Sequence, residues 1–243
     1  MDRVRIILMA GGKGSRLRPF TSVFPKPLMP IGDVPIMDIV IRQLRHFGCC
    51  DITIATGYLA ELVLAYLGDG SQYGLKLKVV REKEPLGTIG ALSLVQCEAN
   101  TSYLVLNGDV LTSINFEDLV RRHRASSAVA TVAAYRRPAT IDKGVLTIDA
   151  AGRITELVEK PTHYNSVAMG IYVFEPAVMK YILPGVRLDA PQLIQNLIAD
   201  GLPVHSYMFD GYWLDIGLPK DYEQALADFE AHRAILLHEI QET

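Results

Sequence analysis

In the first half of the chain the apolar positions form short unbroken runs, with helical spacings between them. RIILMA (residues 5–10), DITIAT (51–56) and YLVLN (103–107) are continuous apolar stretches of strand length, while LKLKVV (75–80) alternates. Residues 35–48 and 59–68 carry apolar groups on one helical face and stop at glycine, and TIGALSLVQ (88–96) also reads as a helix. Unbroken apolar strands are buried on both faces, so strands alternating with helices predict a mostly parallel sheet covered on each side. The expected fold is α/β, a Rossmann-like three-layer sandwich with a mostly parallel mixed sheet.

Beyond residue 112 the rhythm loosens. The pattern predicts a helix over 114–125, a strand over 128–135 and a hairpin from 144–149 and 153–159 around AAG. A strand over 170–175, helices near 176–183 and 189–200, and a long C-terminal helix from about 219 follow. No linker, repeat or low-complexity segment interrupts the sequence. One domain is expected, with a nucleotide-type half over about 1–112 and a mixed half over about 113–243.

Composition narrows the class. The 243 residues are 49% hydrophobic, with a net charge of −3. This lacks the basic field of a general nucleic-acid binder, so any affinity for anions must come from cations placed locally. Cys49, Cys50 and Cys97 make a poor disulfide framework and hold no CxxC zinc pair, and reduced structural thiols are expected. The N-terminal apolar run is too short for a signal peptide, and no stretch of about 18 apolar residues could span a membrane. A cytoplasmic protein is expected.

The first strand runs into GGKGSRLRP. In open parallel sheets ligands bind beyond the carboxyl ends of the strands. Gly11, Gly12 and Gly14 allow close backbone approach to an anion, and Lys13, Arg16 and Arg18 can neutralise phosphate charge. Two familiar phosphate cradles do not fit: a P-loop needs Ser or Thr after Gly-Lys, where Gly14 stands, and a dinucleotide fingerprint needs Gly or Ala where Leu17 stands. A bland alternative, a flexible connection with solvated cations, stays open on this stretch alone. Next, Lys26 lies between Pro25 and Pro27, which suggests a stiff, extended backbone aiming an ammonium group.

AGGKGSRLRP and FPKPLMPIG, followed in order by PLGTIGAL (85–92), LNGDV (106–110), EKP (159–161), GIYVF (170–174) and YWLDIG (212–217), resemble the sugar-1-phosphate nucleotidyltransferases. The blocks span nearly the whole chain. The resemblance implies the nucleotide-diphospho-sugar transferase type of fold, with a nucleoside triphosphate and a sugar 1-phosphate as substrates and Mg²⁺ as cofactor. It implies Arg16 and Lys26 as phosphate-binding cations and Asp109 and Asp215 as metal ligands. Gly11, Gly12, Gly14, Gly87 and Thr88 would contact the nucleotide, with Glu82 a weaker candidate for the base. Glu159, Lys160 and Gly170 would serve the sugar phosphate, and Trp213 would line the site or pack in the core.

The sequence departs from the family at two points. Many relatives carry asparagine two positions before the glycine of GIYVF, where this chain has Ala168, then Met169; the identity of the sugar is what this leaves open. Leu218 stands where threonine often caps the next helix, a loss of about 1 kcal/mol. The pattern looks most like compact guanylyltransferases acting on mannose, heptose or glucosamine 1-phosphates, with thymidylyl-, uridylyl- and cytidylyltransferases sharing the skeleton. No hexapeptide β-helix repeat follows, so a second acetyl-transfer activity is not expected. The C-terminal helix mixes Tyr222, Leu226, Phe229, Leu236, Leu237 and Ile240 with charges, leaving both core packing and a homo-oligomer contact open. An inactive regulatory member would have lost a metal carboxylate or a phosphate cation, and all four are present. A kinase would need a signature that is absent.

Overall fold

The computed structural model describes residues 3–238. The chain runs β1 (Val4–Ala10), β2 (Pro30–Ile31), β3 (Val34–Pro35), α1 (Ile36–His46), β4 (Asp51–Thr56), α2 (Ala60–Leu67), β5 (Lys76–Arg81), β6 (Ser102–Asn107) and β7 (Val110–Thr112). It continues through α3 (Phe116–Arg124), β8 (Ala130–Thr140), β9 (Val145–Ile148), β10 (Ile154–Val158), β11 (Thr162–Phe174), α4 (Ala190–Ala199), β12 (Val204–Phe209), β13 (Trp213–Asp215) and α5 (Pro219–Leu237). Seven strands form one sheet in the order β12-β8-β11-β6-β1-β4-β5. Strands β5, β4, β1 and β6 are mutually parallel, β11 is antiparallel to both its neighbours, and β12 is parallel to β8.

Successive side chains of the central strands enter two different layers, which is why RIILMA shows no polar alternation. Ile6 and Leu8 join Ile52, Ile54, Leu104 and Leu106 against α1, α2 and α3, where Val40, Leu44, Val63 and Phe116 are buried. Ile7 faces the other way, with Val105, Tyr172 and Phe174, onto Leu193 and Leu197 of α4. A third cluster lies outside α1, where Leu17, Met29, Ile31 and Ile36 meet Leu111, Ile216 and Phe229. That cluster anchors the segments flanking the basic loop to α5. No helix among the described residues is long and apolar enough to cross a membrane.

Several elements differ from the sequence pattern. Residues 88–96 form only a 3-10 turn, Gly90–Leu94, because the amides of Ile89 and Gly90 donate to Leu188 O instead of building a helix. Residues 176–183 likewise shorten to a 3-10 turn, Pro176–Tyr181, closed by i→i+3 bonds such as Val178 N–H to Glu175 O. Strands β8 and β11 run well past the expected 128–135 and 170–175, and their added residues pair as an arm whose polar side chains bury neither face. The hairpin of β9 and β10 forms as expected.

Along α5, Phe229, Leu236 and Leu237 are buried, Tyr222 is half-buried and Leu226 is exposed, while Ile240 lies outside the described residues. The helix begins without a cap from Leu218; instead the Asp221 carboxylate accepts the amides of Leu218 at 2.8 Å and Gly217 at 3.2 Å. All three cysteines are free: Cys49 is buried, which pushes its thiol up to about 12, while Cys50 and Cys97 are exposed.

At the edge of the sheet opposite the basic loop, buried His123 of α3 ties four segments together. Its ring nitrogens lie 2.8 Å from Thr131 Oγ1 and 2.9 Å from Glu175 Oε1, and that same carboxylate oxygen accepts Ser102 Oγ–H at 2.7 Å. Burial holds the imidazole below its ordinary range, with Glu175 opposing. An unfolded histidine protonates near about pH 6.5, whereas this ring resists, so the unfolded chain takes up the proton first and stability is lost as pH falls below about 6.5. We expect His123→Gln to lower the melting temperature at neutral pH and to flatten its decline on acidification. Melts across this range check it; an unchanged pH slope would assign the decline to other groups.

Candidate active site

The parallel strands deliver their carboxyl ends to one cleft of about 810 Å³. Gly11 and Gly12 follow β1, Gly57 follows β4, Glu82 follows β5 and Asp109 follows β6, and all line it. The three loop glycines differ in role. A Cβ on Gly12 would meet nothing within 4 Å, so that backbone faces open space. A Cβ on Gly11 would run into Glu82 Oε1. Gly14 takes φ +58°, and its carbonyl accepts Leu17 N–H at 2.8 Å and Thr21 Oγ–H at 2.7 Å. The 3-10 turn Ser15–Leu17 so formed buries Leu17 and leaves Arg16 exposed, beside Gly217.

Asp109 and Asp215 are brought together by the short β7–β13 ladder, in which Asp215 pairs with Val110 and Ile216 N–H donates to Asp109 O at 3.2 Å. Asp109 Oδ2 is ion-paired with Lys26 Nζ, while Oδ1 is buried with no hydrogen-bond partner among the described residues. Asp215 keeps contact with solvent, yet the protein packed round its carboxyl, and then the charge of Asp109, push it above the usual carboxylate range; Lys26 and Arg16 oppose this. Lys26 does not lie on extended backbone as its flanking prolines suggest. Pro25 is extended, but Lys26 opens a 3-10 turn (Lys26–Leu28) because Pro27 and Leu28 are drawn into the interior. Two neighbouring carboxylates, one with an unpaired buried oxygen, fit a hard divalent cation.

The segment after β5 builds the other wall. Burial pushes the Glu82 carboxyl up, and its Oε2 accepts Leu86 N–H at 2.8 Å. Gly87 takes φ +82°, where a Cβ would lie 2.5 Å from Leu188 O. Thr88 is tied to the start of α4: its N–H donates to Asp189 Oδ1 and its Oγ1 accepts Ala190 N–H, each at 2.8 Å. Asp189 and Arg187 also line the cleft. No local motif marks them, and only a contact across about a hundred residues brings them here.

Glu159 and Lys160 are exposed on the turn between β10 and β11, Lys160 at φ +48°, and neither lines the cleft. Gly170, at φ +75° in an irregular stretch of β11, lies against Asn107, whose Nδ2 would be 2.6 Å from an added Cβ. A smaller hollow of about 330 Å³ adjoins Asp215, lined also by Arg16, Arg137, Trp213 and Lys220. Arg137 and Lys220 carry no motif and are legible only here. Trp213 both packs, with Nε1–H donating to Met169 O at 3.2 Å, and lines this hollow; Ala168 is exposed and Met169 buried.

The carboxyl ends of a mostly parallel sheet thus gather a glycine loop, cations and paired carboxylates around one cleft. The sequence profile of the nucleotidyl transferase family matches residues 5–232, and the chain belongs to that family. It is 32% identical to a UTP–glucose-1-phosphate uridylyltransferase of Synechocystis, over 98% of this chain and 65% of that protein. It is 33% identical to a mannose-1-phosphate guanyltransferase of Yarrowia lipolytica, over 89% and 61%, and 32% identical to a mannose-1-phosphate guanylyltransferase of Mycobacterium tuberculosis, over 93% and 64%. The chain thus spans less than two thirds of the length of these relatives. Among solved structures, a Bacillus anthracis protein provisionally assigned as a glucose-1-phosphate thymidylyltransferase, in complex with sucrose, superimposes with a TM-score of 0.74 at 25% identity, covering 99% of this chain and 97% of the other.

The glycine geometry separates structural from ligand-facing positions. Gly12→Ala should leave the melting temperature unchanged, because its Cβ points into open space. Gly87→Ala should cost about 2 kcal/mol through its backbone conformation and its contact with Leu188 O, which lowers the melting temperature by roughly 4–8 °C. Calorimetry of the two variants checks both, and equal effects would contradict this assignment.

Proposed function

We propose that the protein is a sugar-1-phosphate nucleotidyltransferase, joining a nucleoside triphosphate, GTP by preference, to a sugar 1-phosphate with release of pyrophosphate. The observation that carries this reading is the meeting of Lys26, Asp109 and Asp215 beside the open backbone of Gly12. The names of the relatives support the reaction class; their bases and sugars differ.

The reaction needs alignment and charge neutralisation more than proton transfer. A sugar phosphate is already anionic near pH 7, so its oxygen can form the new bond to the α-phosphorus in line as the bond to the β-phosphate oxygen breaks. In this reading the loop through Gly11, Gly12 and Gly14 receives the triphosphate, Arg16 holds the departing pyrophosphate and Lys26 neutralises charge at the reacting phosphorus. Asp109 and Asp215 would hold Mg²⁺, which supplies further charge neutralisation at the phosphates. The unpaired Oδ1 of Asp109 supports that role. Its ion pair with Asp109 keeps Lys26 near the place where the phosphate charge would arrive.

Glu82, in its ionised form, would favour guanine. An ionised carboxylate only accepts hydrogen bonds, and guanine presents adjacent N1–H and N2–H donors, whereas uracil and thymine present one N–H between two carbonyls. Gly87 and Thr88 would flank the base and ribose. On the sugar side, Glu159 would accept from hydroxyls and Lys160 would hold the phosphate, with Gly170 nearby. Glu159 and Lys160 both stand outside the cleft, on the turn between β10 and β11, so this assignment requires the arm of β8 and β11, with its hairpin, to approach the substrate. Residues 1–112 would then chiefly serve the nucleotide and 113–243 the sugar phosphate.

Pyrophosphate release across five nucleoside triphosphates and a panel of sugar 1-phosphates, with and without Mg²⁺, tests the proposal directly. Metal-dependent release with one preferred pair is expected, and folded protein inert across the panel would count against it. Asp109→Asn should reduce turnover by about 10²–10³-fold with the fold retained; near-normal turnover would remove Asp109 from the site. Lys160→Ala should raise KM for the sugar phosphate more than for the triphosphate, and an effect confined to the triphosphate would overturn its assignment.

A further inference from the structure

We propose that Arg187, held by Asp189, reads a carbonyl acceptor on the nucleobase, so that the segment leading into α4 takes part in nucleotide choice. This rests on the guanylyl-transfer reading above and extends it to residues that no sequence motif marks.

Among the described residues lining the main cleft, Arg187 and Asp189 are the two that come from beyond Asp109. Their segment is stitched to the base-side wall. Leu188 N–H donates to Leu86 O at 2.9 Å, and Leu188 O accepts the amides of Ile89 and Gly90, each at 3.1 Å. Thr88 N–H donates to Asp189 Oδ1, and Thr88 Oγ1 takes Ala190 N–H. A turn held at so many points offers a fixed platform. Asp189 divides its carboxylate, giving Oδ1 to the Thr88 amide and Oδ2 to Arg187 Nη2 at 3.3 Å. The guanidinium carries five N–H donors and no acceptor, so one bond to Asp189 orients it and leaves further donors for a ligand. Its side chain is 70% exposed on the cleft wall.

The position favours the base over the phosphates. The anion-binding loop meets the segment after β5 at Glu82, which lies against Gly11, whereas the turn bearing Arg187 is stitched to the farther part of that segment, at Leu86 and Thr88–Gly90. The same wall carries Glu82, joined to it through Leu86 N–H. A pure acceptor and a pure donor therefore stand on one hydrogen-bonded segment. Guanine offers the complement, with N1–H and N2–H donors beside the O6 and N7 acceptors, and arginine pairs with O6 and N7 in fork geometry. Adenine and cytosine would present an amino group where Arg187 needs an acceptor. Asp189 acts here as a positioning residue.

The test compares GTP with 6-thio-GTP, which keeps the N1–H and N2–H donors and replaces only O6 by sulfur, a weaker acceptor. Binding is measured calorimetrically without sugar phosphate, so turnover is not the readout. The wild-type protein should prefer GTP by about tenfold. Arg187→Ala should bind both nucleotides alike, and Asp189→Asn should lose part of the preference. If Arg187→Ala keeps the full preference, or weakens GTP, 6-thio-GTP and UTP by one common factor, Arg187 does not read the base and the inference falls while the guanylyl reading stands. If the wild-type protein binds UTP or TTP better than GTP, the guanylyl reading falls first and takes this inference with it.

Discussion

The site depends on the three-residue ladder between β7 and β13. These strands lie outside the main sheet, yet their pairing sets Asp215 beside the end of β6, where Asp109 emerges. Placing two carboxylates so close is electrostatically costly; burial first, and then the charge of Asp109, push the Asp215 carboxyl above its usual range. The fold offsets that repulsion with Lys26 and Arg16, both delivered by short 3-10 turns after β1. The apolar cluster of Leu17, Met29, Leu111, Ile216 and Phe229 holds all of these segments at once. The charges are therefore arranged by burial of the hydrophobic residues next to them in sequence, and the polar groups need not find one another unaided.

A second constraint works at the opposite wall. The chain between β5 and β6 has little regular structure, and it would be poorly defined if it depended on its own residues. Its amides are satisfied instead by the segment entering α4, through Leu188 and Asp189. Gly87 and Gly90 allow this contact, since a side chain at Gly87 would collide with Leu188 O and one at Gly90 would crowd Val186 O. The two halves of the molecule are thus coupled where the nucleotide base is proposed to sit. The arm of β8 and β11 has no comparable support: the side chains added beyond the sheet are exposed, and so are the apolar residues of its hairpin, Ile148, Ile154 and Leu157. The same contrast separates a wall braced by hydrogen bonds, proposed to serve the nucleotide, from an exposed arm proposed to serve the sugar phosphate.

The central strands and main helices were legible in the sequence because burial of both sheet faces leaves unbroken apolar runs, and one-sided burial leaves helical periodicity. The basic glycine loop and Asp109 could be placed at strand ends from that pattern alone, the flanking prolines singled out Lys26, and family resemblance added Asp215, Glu82 and the sugar-side candidates. What the sequence could not convey was anything set by partners far along the chain. Residues 88–96 look helical by spacing, but their amides are claimed by Leu188; Lys26 looks extended by its prolines, but burial of Pro27 and Leu28 curls it. Arg187, Asp189, Arg137 and Lys220 sit in ordinary surroundings in the sequence and reach the two hollows only through folding. Local patterns report which side of an element is buried, because that depends on solvent. Which distant backbone will accept a given amide, and which cation will face a given carboxylate, depends on packing, and only the tertiary structure decides it.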